Sequence, residues 1–173
     1  MNLIITCARH LEPETEEELM SILEEFGDSD AKISITKMSG ILTAETELDP
    51  IEVVRKIKEM ILDEPWSIRY CLRIIPIQKI IESQIDEIEK VVANISEQIL
   101  DVETYRISIE KRNSDLSSKE IITKIANQIK NKVSLEFPDK VLLIEILGNK
   151  TGISILKKSD ILSTEKTKRS MSE

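Results

Sequence analysis

Short runs of β-branched residues alternate along this chain with longer segments in which apolar residues recur every three or four positions. The first spacing is typical of a strand, and the second is typical of a helix with one apolar face. Aromatic residues make up only 3% of the sequence, so the core must be built from aliphatic side chains, above all isoleucine. The sequence therefore predicts an α+β fold with an aliphatic core.

Residues 1–76 follow the order βαββαβ, which predicts a ferredoxin-like domain. Its strands are predicted at residues 2–7, 32–37, 41–46 and 66–77. The first helix should begin near Pro13 and end at Gly27, and the second should begin at Asp49 and Pro50, an N-cap followed by a proline in the first turn. A tight turn at Gly40 should join the two middle strands into a hairpin.

Residues 77–157 predict a second unit with the order αβαββ. Its strands are expected at residues 105–110, 141–147 and 151–156, and Ser117 with Glu120 forms a capping box that opens the second helix. Two stripes mark the buried helix faces: Ile85, Ile88, Val92, Ile95 and Ile99 in the first helix, and Ile121, Ile122, Ile125, Ile129 and Val133 in the second. Residues 158–173 are polar and are expected to form a disordered tail.

Charge is distributed unevenly along the chain. The net charge of −8 argues at first sight against a nucleic-acid partner, because phosphate binding depends on clustered lysine and arginine. Residues 1–64, however, hold 6 of the 24 basic residues and 16 of the 32 acidic ones. Residues 105–134 hold seven basic residues and three acidic ones. The distribution predicts that the second unit binds an anion and that the acidity belongs to the first.

Few single residues of the sequence suggest a metal, redox or catalytic site. Cys7 and Cys71 are far apart and lie in predicted strands, which excludes a CxxC metal or redox motif and favours buried free thiols over a disulfide. His10 has no orienting partner that would make it a general base, and Trp66 is interpreted as a packing anchor rather than a platform for a base. The first residues match neither a signal peptide nor a membrane span, so a cytoplasmic protein without a membrane partner is expected.

Three segments resemble a known family: PWSIRYCLRIIPI (residues 65–77), ETYRISIEKRNSDLSSKEIITKIANQI (residues 103–129) and KVSLEFPDKVLLIEILGNKTGISIL (residues 132–156). The second unit is similar to a THUMP domain, and the first resembles the ferredoxin-like domain that usually precedes one. The opening TCARHLE and the stretch DEPWSIRY look like the standalone THUMP proteins that assist tRNA cytidine acetylation.

The resemblance implies an RNA-binding protein that docks tRNA for a separate tRNA-modifying enzyme, an adaptor to a tRNA cytidine N4-acetyltransferase. The resemblance implies no covalent chemistry, no cofactor and no metal in this chain. The few glycines of the sequence form no nucleotide-binding fingerprint. Two alternatives stay open: a subunit that completes an RNA-modifying active site only in complex, and a ferredoxin-like protein-interaction module without RNA binding.

The candidate RNA-binding residues form three groups. Lys111, Arg112, Asn113 and Ser114 are expected in a loop between a strand and a capped helix, where backbone amides and cations could converge on phosphate. Lys119 and Lys124 lie on the polar face of that helix, for which a solvated surface is the alternative interpretation. The last group consists of three arginines in predicted strands. Arg106 lies in the strand that resembles the family, and Arg69 and Arg73 lie in the last strand of the first domain. The alternative role of Arg69 and Arg73 is ion pairing with the acidic residues of that domain.

Overall fold

The computed structural model describes residues 1–171, which form two compact units. Unit 1 consists of Met1–Ile77 together with the segment that begins at Ser159, and unit 2 consists of Gln78–Lys158. The chain therefore leaves unit 1, builds unit 2, and returns to unit 1.

Unit 1 has the predicted βαββαβ order, so the ferredoxin-like expectation is confirmed. Its strands and helices are β1 (Leu3–Thr6), α1 (Glu12–Glu25), β2 (Lys32–Ile35), β3 (Ile41–Glu45), α2 (Pro50–Asp63) and β4 (Arg73–Pro76). These four strands pair in the order β2-β3-β1-β4, and every neighbouring pair is antiparallel. The α2 helix begins as the sequence predicts, because the Asp49 side chain accepts a hydrogen bond from the Ile51 amide at 2.9 Å.

One predicted strand of unit 1 is much shorter than expected. Residues 66–77 were expected to be extended throughout, but Pro65–Ser67 is a short 3-10 helix and only Arg73–Pro76 is a strand. The intervening backbone turns to meet Glu18 on α1, whose carboxylate accepts hydrogen bonds from the amides of Arg69, Tyr70 and Cys71. A carboxylate that takes three successive amides competes with a neighbouring strand for those donors.

The expectation of a disordered C-terminal tail is wrong for residues up to 171. Leu162–Ser163 forms β9, which pairs antiparallel with β4 and extends the sheet to the order β2-β3-β1-β4-β9. Thr164–Arg169 then forms the helix α5, capped by the Ser163 hydroxyl. Leu162 is fully buried in the core of unit 1, and its burial offsets the entropy of ordering a polar segment. Residues 172–173 of the predicted tail lie outside the described residues.

Unit 2 contains the predicted αβαββ order preceded by one strand that was not predicted. Its elements are β5 (Lys79–Glu82), α3 (Ile85–Ile95), β6 (Tyr105–Arg112), α4 (Ser118–Ala126), β7 (Lys140–Leu147) and β8 (Lys150–Leu156). The sheet order is β5-β8-β7-β6, with β6 and β7 parallel and the other pairs antiparallel. Short 3-10 helices lie at Ser96–Gln98 and Lys158–Asp160.

Two isoleucine-rich helices cover one face of this sheet. Ile88, Val92 and Ile95 of α3, with Ile121 and Ile125 of α4, are buried against it, as the stripes predict. The second stripe was predicted to extend along the helix to Val133, but α4 ends at Ala126. Ile122 lies within the helix but is exposed, Val133 is exposed beyond its end, and Ile129 remains buried beyond its end. The segment that follows α4 is therefore a loop with its own contacts.

Candidate nucleic-acid interface

A tight loop connects β6 to α4 at the carboxyl end of the strand; we call residues 113–117 the β6–α4 loop. Asn113 has a positive φ of 53°, a left-handed conformation that asparagine tolerates better than most residues. The Ser114 hydroxyl accepts from the Leu116 amide at 3.2 Å, and the Lys111 ammonium donates to the Leu116 carbonyl at 2.8 Å. The Ser117 hydroxyl accepts from the Glu120 amide at 3.2 Å and caps α4. The loop is thus fixed by its own side chains.

Lys119 is the candidate at this end whose charge is free to meet an anion. It is exposed in the first turn of α4, and its ammonium has no hydrogen-bond or ion-pair partner within residues 1–171. The positive end of the helix dipole lies in that turn and adds to the attraction for a phosphate. Asn113 and Ser114 lie in the loop before α4, as the sequence predicts. Lys111, which was expected in the same loop, is a residue of β6 whose ammonium reaches the loop at the Leu116 carbonyl, and Lys119 follows in the first turn of α4.

Arg112 is placed differently from its prediction. It is the last residue of β6 rather than a loop residue, and its Nη1 lies 3.5 Å from Oε2 of Glu145 on β7. The Glu145 side chain is only 1% exposed, whereas that of Arg112 is 32% exposed. A buried carboxylate needs a cation beside it, because desolvation penalises an uncompensated charge. Arg112 thus has a structural task that competes with contacting phosphate.

Lys124 is also neutralised within the fold. Its ammonium lies 3.2 Å from Glu89 on α3 and 4.0 Å from Glu120 one turn earlier on α4. The hydrogen bond with Glu89 raises the pKa of Lys124, since a nearby carboxylate favours the charged form of the amine. This ion pair links the two helices, so the structure supports a role in packing for Lys124 more than one in binding.

Arg106 lies at the opposite end of β6 from the β6–α4 loop. Six residues along a strand separate it from Arg112, a distance of about 20 Å. Its Nη1 donates to the carbonyl of Leu135 at 3.0 Å, in the segment that returns from α4 to β7. Arg106 therefore belongs to a second basic region, separate from the β6–α4 loop.

Arg69 and Arg73 lie in unit 1 and do not form the same-face pair that a continuous strand would give. Arg69 is exposed before β4 begins, with its guanidinium 5.8 Å from the centre of the Tyr70 ring. Arg73 is the first residue of β4, between Thr6 of β1 and Ser163 of β9. Neither arginine makes an ion pair within residues 1–171, so the alternative of pairing with the acidic domain is also not observed.

Sequence reasoning missed an exposed segment beside Arg106; we call residues 130–139 the α4–β7 segment. Lys130, which the sequence places on the polar face of α4, lies beyond the end of that helix, and Lys132 was counted only in the basic region; both are exposed. Phe137 was not considered, although its side chain is 83% exposed. An aromatic residue followed by proline, a few positions after Lys130 and Lys132, is the signal that could have identified it. Trp66 was expected to be a packing anchor, and this is wrong because it is 72% exposed.

No group of three or more histidine, cysteine, aspartate or glutamate side chains within residues 1–171 could hold a metal ion. None of the described helices combines the length and apolar character needed to cross a bilayer.

Comparisons with known proteins agree with this architecture. Residues 82–156 match the THUMP domain family. Among solved structures, the chain is similar to PH1313 from Pyrococcus horikoshii, with a TM-score of 0.63 and 18% identity over 91% of this chain and 55% of that one. It is similar to TrmN from Thermus thermophilus, with a TM-score of 0.62 and 10% identity over 90% of this chain and 45% of that one.

A third similar structure is a 4-thiouridine synthetase in complex with RNA and bound ATP, with a TM-score of 0.58 and 14% identity over 94% of this chain and 42% of that one. At these identities the likeness shows the fold. The chain spans about half the length of these solved structures. A comparison with curated protein sequences finds no match.

Proposed function

We propose, from the THUMP domain that residues 82–156 form, that this protein binds structured RNA, and specifically tRNA. The match to this family is the observation that carries the proposal. It is supported by the β6–α4 loop, beside which exposed Lys119 lies in the first turn of α4 without an ion-pair partner among residues 1–171. It is further supported by the fold shared with a synthetase whose structure was solved in complex with RNA and with other proteins of that architecture.

The proposed residues differ in how directly they contact RNA. Lys111, Asn113, Ser114 and Lys119 are proposed to meet the sugar–phosphate backbone at the start of α4, with Arg106 and the exposed lysines of the α4–β7 segment forming a second contact. Arg112 and Lys124 are proposed to contribute indirectly, since both are engaged with carboxylates. Arg69 and Arg73 are retained as a separate proposal in unit 1.

Lys119→Ala provides the sharpest test of direct phosphate contact. Removing a cation that meets phosphate should weaken binding to transcribed tRNA on the order of fivefold and lower the slope of log affinity against log salt by about one unit. The matched control is Lys90→Ala on α3, whose lysine is exposed and pairs only with Glu87 one turn away. Filter binding or fluorescence anisotropy at several salt concentrations measures both quantities. Equal affinities and slopes for the two variants would remove Lys119 from the interface.

We further propose that the protein is an adaptor without covalent chemistry of its own, which presents tRNA to a separate enzyme that makes N4-acetylcytidine. This step rests on the resemblance of the segments TCARHLE and DEPWSIRY to standalone THUMP adaptors. Mass spectrometry of tRNA nucleosides from a strain lacking the protein tests it. Selective loss of N4-acetylcytidine supports the adaptor, whereas loss of another modified nucleoside identifies a different partner.

The distinction between an adaptor and an enzyme subunit needs purified components. An adaptor should bind tRNA alone and raise the tRNA affinity of the acetyltransferase, while the acetyltransferase retains slow activity without it. A subunit that completes the active site should be indispensable at every tRNA concentration. If the protein binds no tRNA at low salt, the interaction-module alternative replaces the RNA-binding proposal.

A further inference from the structure

The α4–β7 segment displays apolar side chains on the surface of unit 2. Phe137 is 83% exposed, and Leu135, two residues earlier, is 70% exposed. A single exposed apolar residue is common in soluble proteins and carries no meaning by itself. Here an aromatic ring and an aliphatic neighbour alternate with Glu136 and are followed by Pro138 in a loop that the fold holds in place.

The backbone of this segment is fixed at several points. The Ser134 amide donates to the Tyr105 carbonyl at 3.0 Å, and the Phe137 amide donates to the Ser134 hydroxyl at 3.2 Å. The Asp139 amide donates to the carbonyl of Thr104 at 3.1 Å. The exposure of Phe137 is therefore not a consequence of a loose loop. A side chain presented by an ordered backbone loses little conformational entropy when a ligand covers it.

Cations of unit 2 lie in the α4–β7 segment or contact its backbone. Lys130 and Lys132 are exposed without a hydrogen-bond or ion-pair partner within residues 1–171, and Arg106 reaches only the carbonyl of Leu135. The Lys158 ammonium donates to the Glu136 carbonyl at 2.6 Å. The acids of the segment are Glu136, which is exposed, and Asp139, whose carboxylate accepts from the amide and hydroxyl of Thr104. Four cations and two acids give this surface a net positive charge, which attracts anions.

The other strongly exposed aromatic residue, Trp66, provides a contrast within the same chain. It directly follows Glu64 and Pro65, and the neighbouring groove of about 660 Å³ is lined by six carboxylates: Glu14, Glu17, Glu18, Glu25, Asp63 and Glu64. Carboxylates in such numbers repel phosphate. The ring in the basic surrounding is the one suited to a nucleic acid.

We propose that Phe137, with Leu135 beside it, is a stacking platform for an unpaired base of the bound RNA, and that Lys130 and Lys132 hold the adjoining phosphates. Stacking on an aromatic ring beside a cationic track is how proteins bind single-stranded nucleic acid without reading its sequence, because every base has a flat face. The inference rests on the proposed RNA binding and adds the class of nucleotide that this surface takes. A docking protein would also cover apolar side chains, but the uncompensated lysines favour an anionic occupant.

Two RNA hairpins with the same stem test the platform, one blunt and one carrying four unpaired nucleotides at its end. The full chain with Phe137→Ala should bind the extended hairpin roughly 5- to 100-fold more weakly than the unsubstituted protein does. Its affinity for the blunt hairpin and its salt slope should not change, because no charge has been removed. Phe137→Trp should retain binding, whereas Phe137→Leu should behave like Phe137→Ala because it keeps apolar area without the ring.

Phe137 is exposed, so these variants should fold, and circular dichroism checks this. In a Trp66→Phe background, the Trp of Phe137→Trp should show changed emission when the extended hairpin is added and none with the blunt one. Full affinity for Phe137→Leu would overturn stacking in favour of a plain apolar contact. Unchanged binding of Phe137→Ala to both hairpins, with Lys119→Ala still weakened, would overturn the platform while the proposed function stands. Failure of the unsubstituted protein to bind tRNA and both hairpins would overturn the proposed function itself.

Discussion

Glu18 on α1 fixes the segment that leads into β4, and Glu18→Ala should destabilise unit 1. The Glu18 carboxylate accepts hydrogen bonds from the amides of Arg69 at 2.8 Å, Tyr70 at 3.1 Å and Cys71 at 2.9 Å. Those residues connect the 3-10 helix to the strand, and no backbone carbonyl within residues 1–171 accepts from these three amides. Removing the carboxylate therefore leaves three donors to find water or to stay unpaired.

The expected magnitude follows from how accessible those donors are to water. A hydrogen bond to a charged group contributes about 1.5–3 kcal/mol, but an exposed amide recovers most of that from solvent. Arg69 is exposed and should lose little, whereas Cys71 is buried and should lose most. We expect a total loss of about 2–3 kcal/mol in the free energy of unfolding, which for a unit of this size lowers the midpoint of thermal unfolding by roughly 10–20 °C.

Urea unfolding followed by the fluorescence of Trp66 measures this loss. Trp66 is the single tryptophan, and it lies in unit 1 three residues before Arg69, so its signal reports the unit that is perturbed. Glu17→Ala is the matched control, because Glu17 is an exposed neighbour on the same helix without a hydrogen-bond partner among the described residues. Glu18→Gln keeps one acceptor oxygen and should lose about half as much. Free energies for Glu18→Ala and Glu17→Ala that agree within about 0.5 kcal/mol would refute the reasoning.

Two further predictions concern unit 1. Gly40 has a φ of +75°, and a Cβ there would lie 2.6 Å from the Cys7 carbonyl oxygen, so Gly40→Ala should destabilise by about 2 kcal/mol or more. Gly27→Ala, where a Cβ meets nothing within 4 Å, should cost only about 1 kcal/mol in the same urea titration. The buried Asp28 carboxylate accepts from the Thr46 hydroxyl and the Glu47 amide, and the bond from Thr46 lowers its pKa. Because the pKa of Asp28 is lower in the folded state, the ionised carboxylate stabilises the fold above the unfolded pKa near 3.8, and this stabilisation is lost as the pH falls below that value. Asp28→Asn should therefore lower the free energy of unfolding by about 1–2 kcal/mol at pH 7 and by progressively less below pH ~4. A difference that stays constant from pH 7 to pH 2 would contradict this assignment.

The sequence predicted the elements whose signal is local. The stripes of α3 and α4, the cap at Asp49 and the hairpin turn at Gly40 each depend on residues a few positions apart. The strands β5 and β9 were missed because each is short and exists only through its partner, β8 for the first and β4 for the second. No pattern within four residues encodes a partner that lies about 70 or more positions away.

The candidate site was predicted in part for the same reason. The β6–α4 loop and Lys119 follow from the Ser117 cap, which is a local signal. The engagement of Arg112 with Glu145 depends on the parallel register of β6 and β7, which brings residues 33 positions apart to the same face. The exposure of Phe137 depends on contacts of its segment with Thr104 and Tyr105, and a sequence offers no measure of that.

The paired and unpaired cations of unit 2 indicate where it can bind phosphate. Within its described residues, five cations are ion-paired: Lys90, Arg112, Lys124, Lys140 and Lys150. Among the exposed lysines outside these pairs, Lys119 lies near one end of β6 and Lys130 and Lys132 lie near the other, and the ammonium groups of these three make no hydrogen bond or ion pair within residues 1–171. Phosphate contacts by these three lysines alone give a shallow dependence on salt and a modest electrostatic affinity. A contact that does not depend on charge then adds to the binding energy, and the exposed ring of Phe137 is the group on unit 2 best suited to provide it.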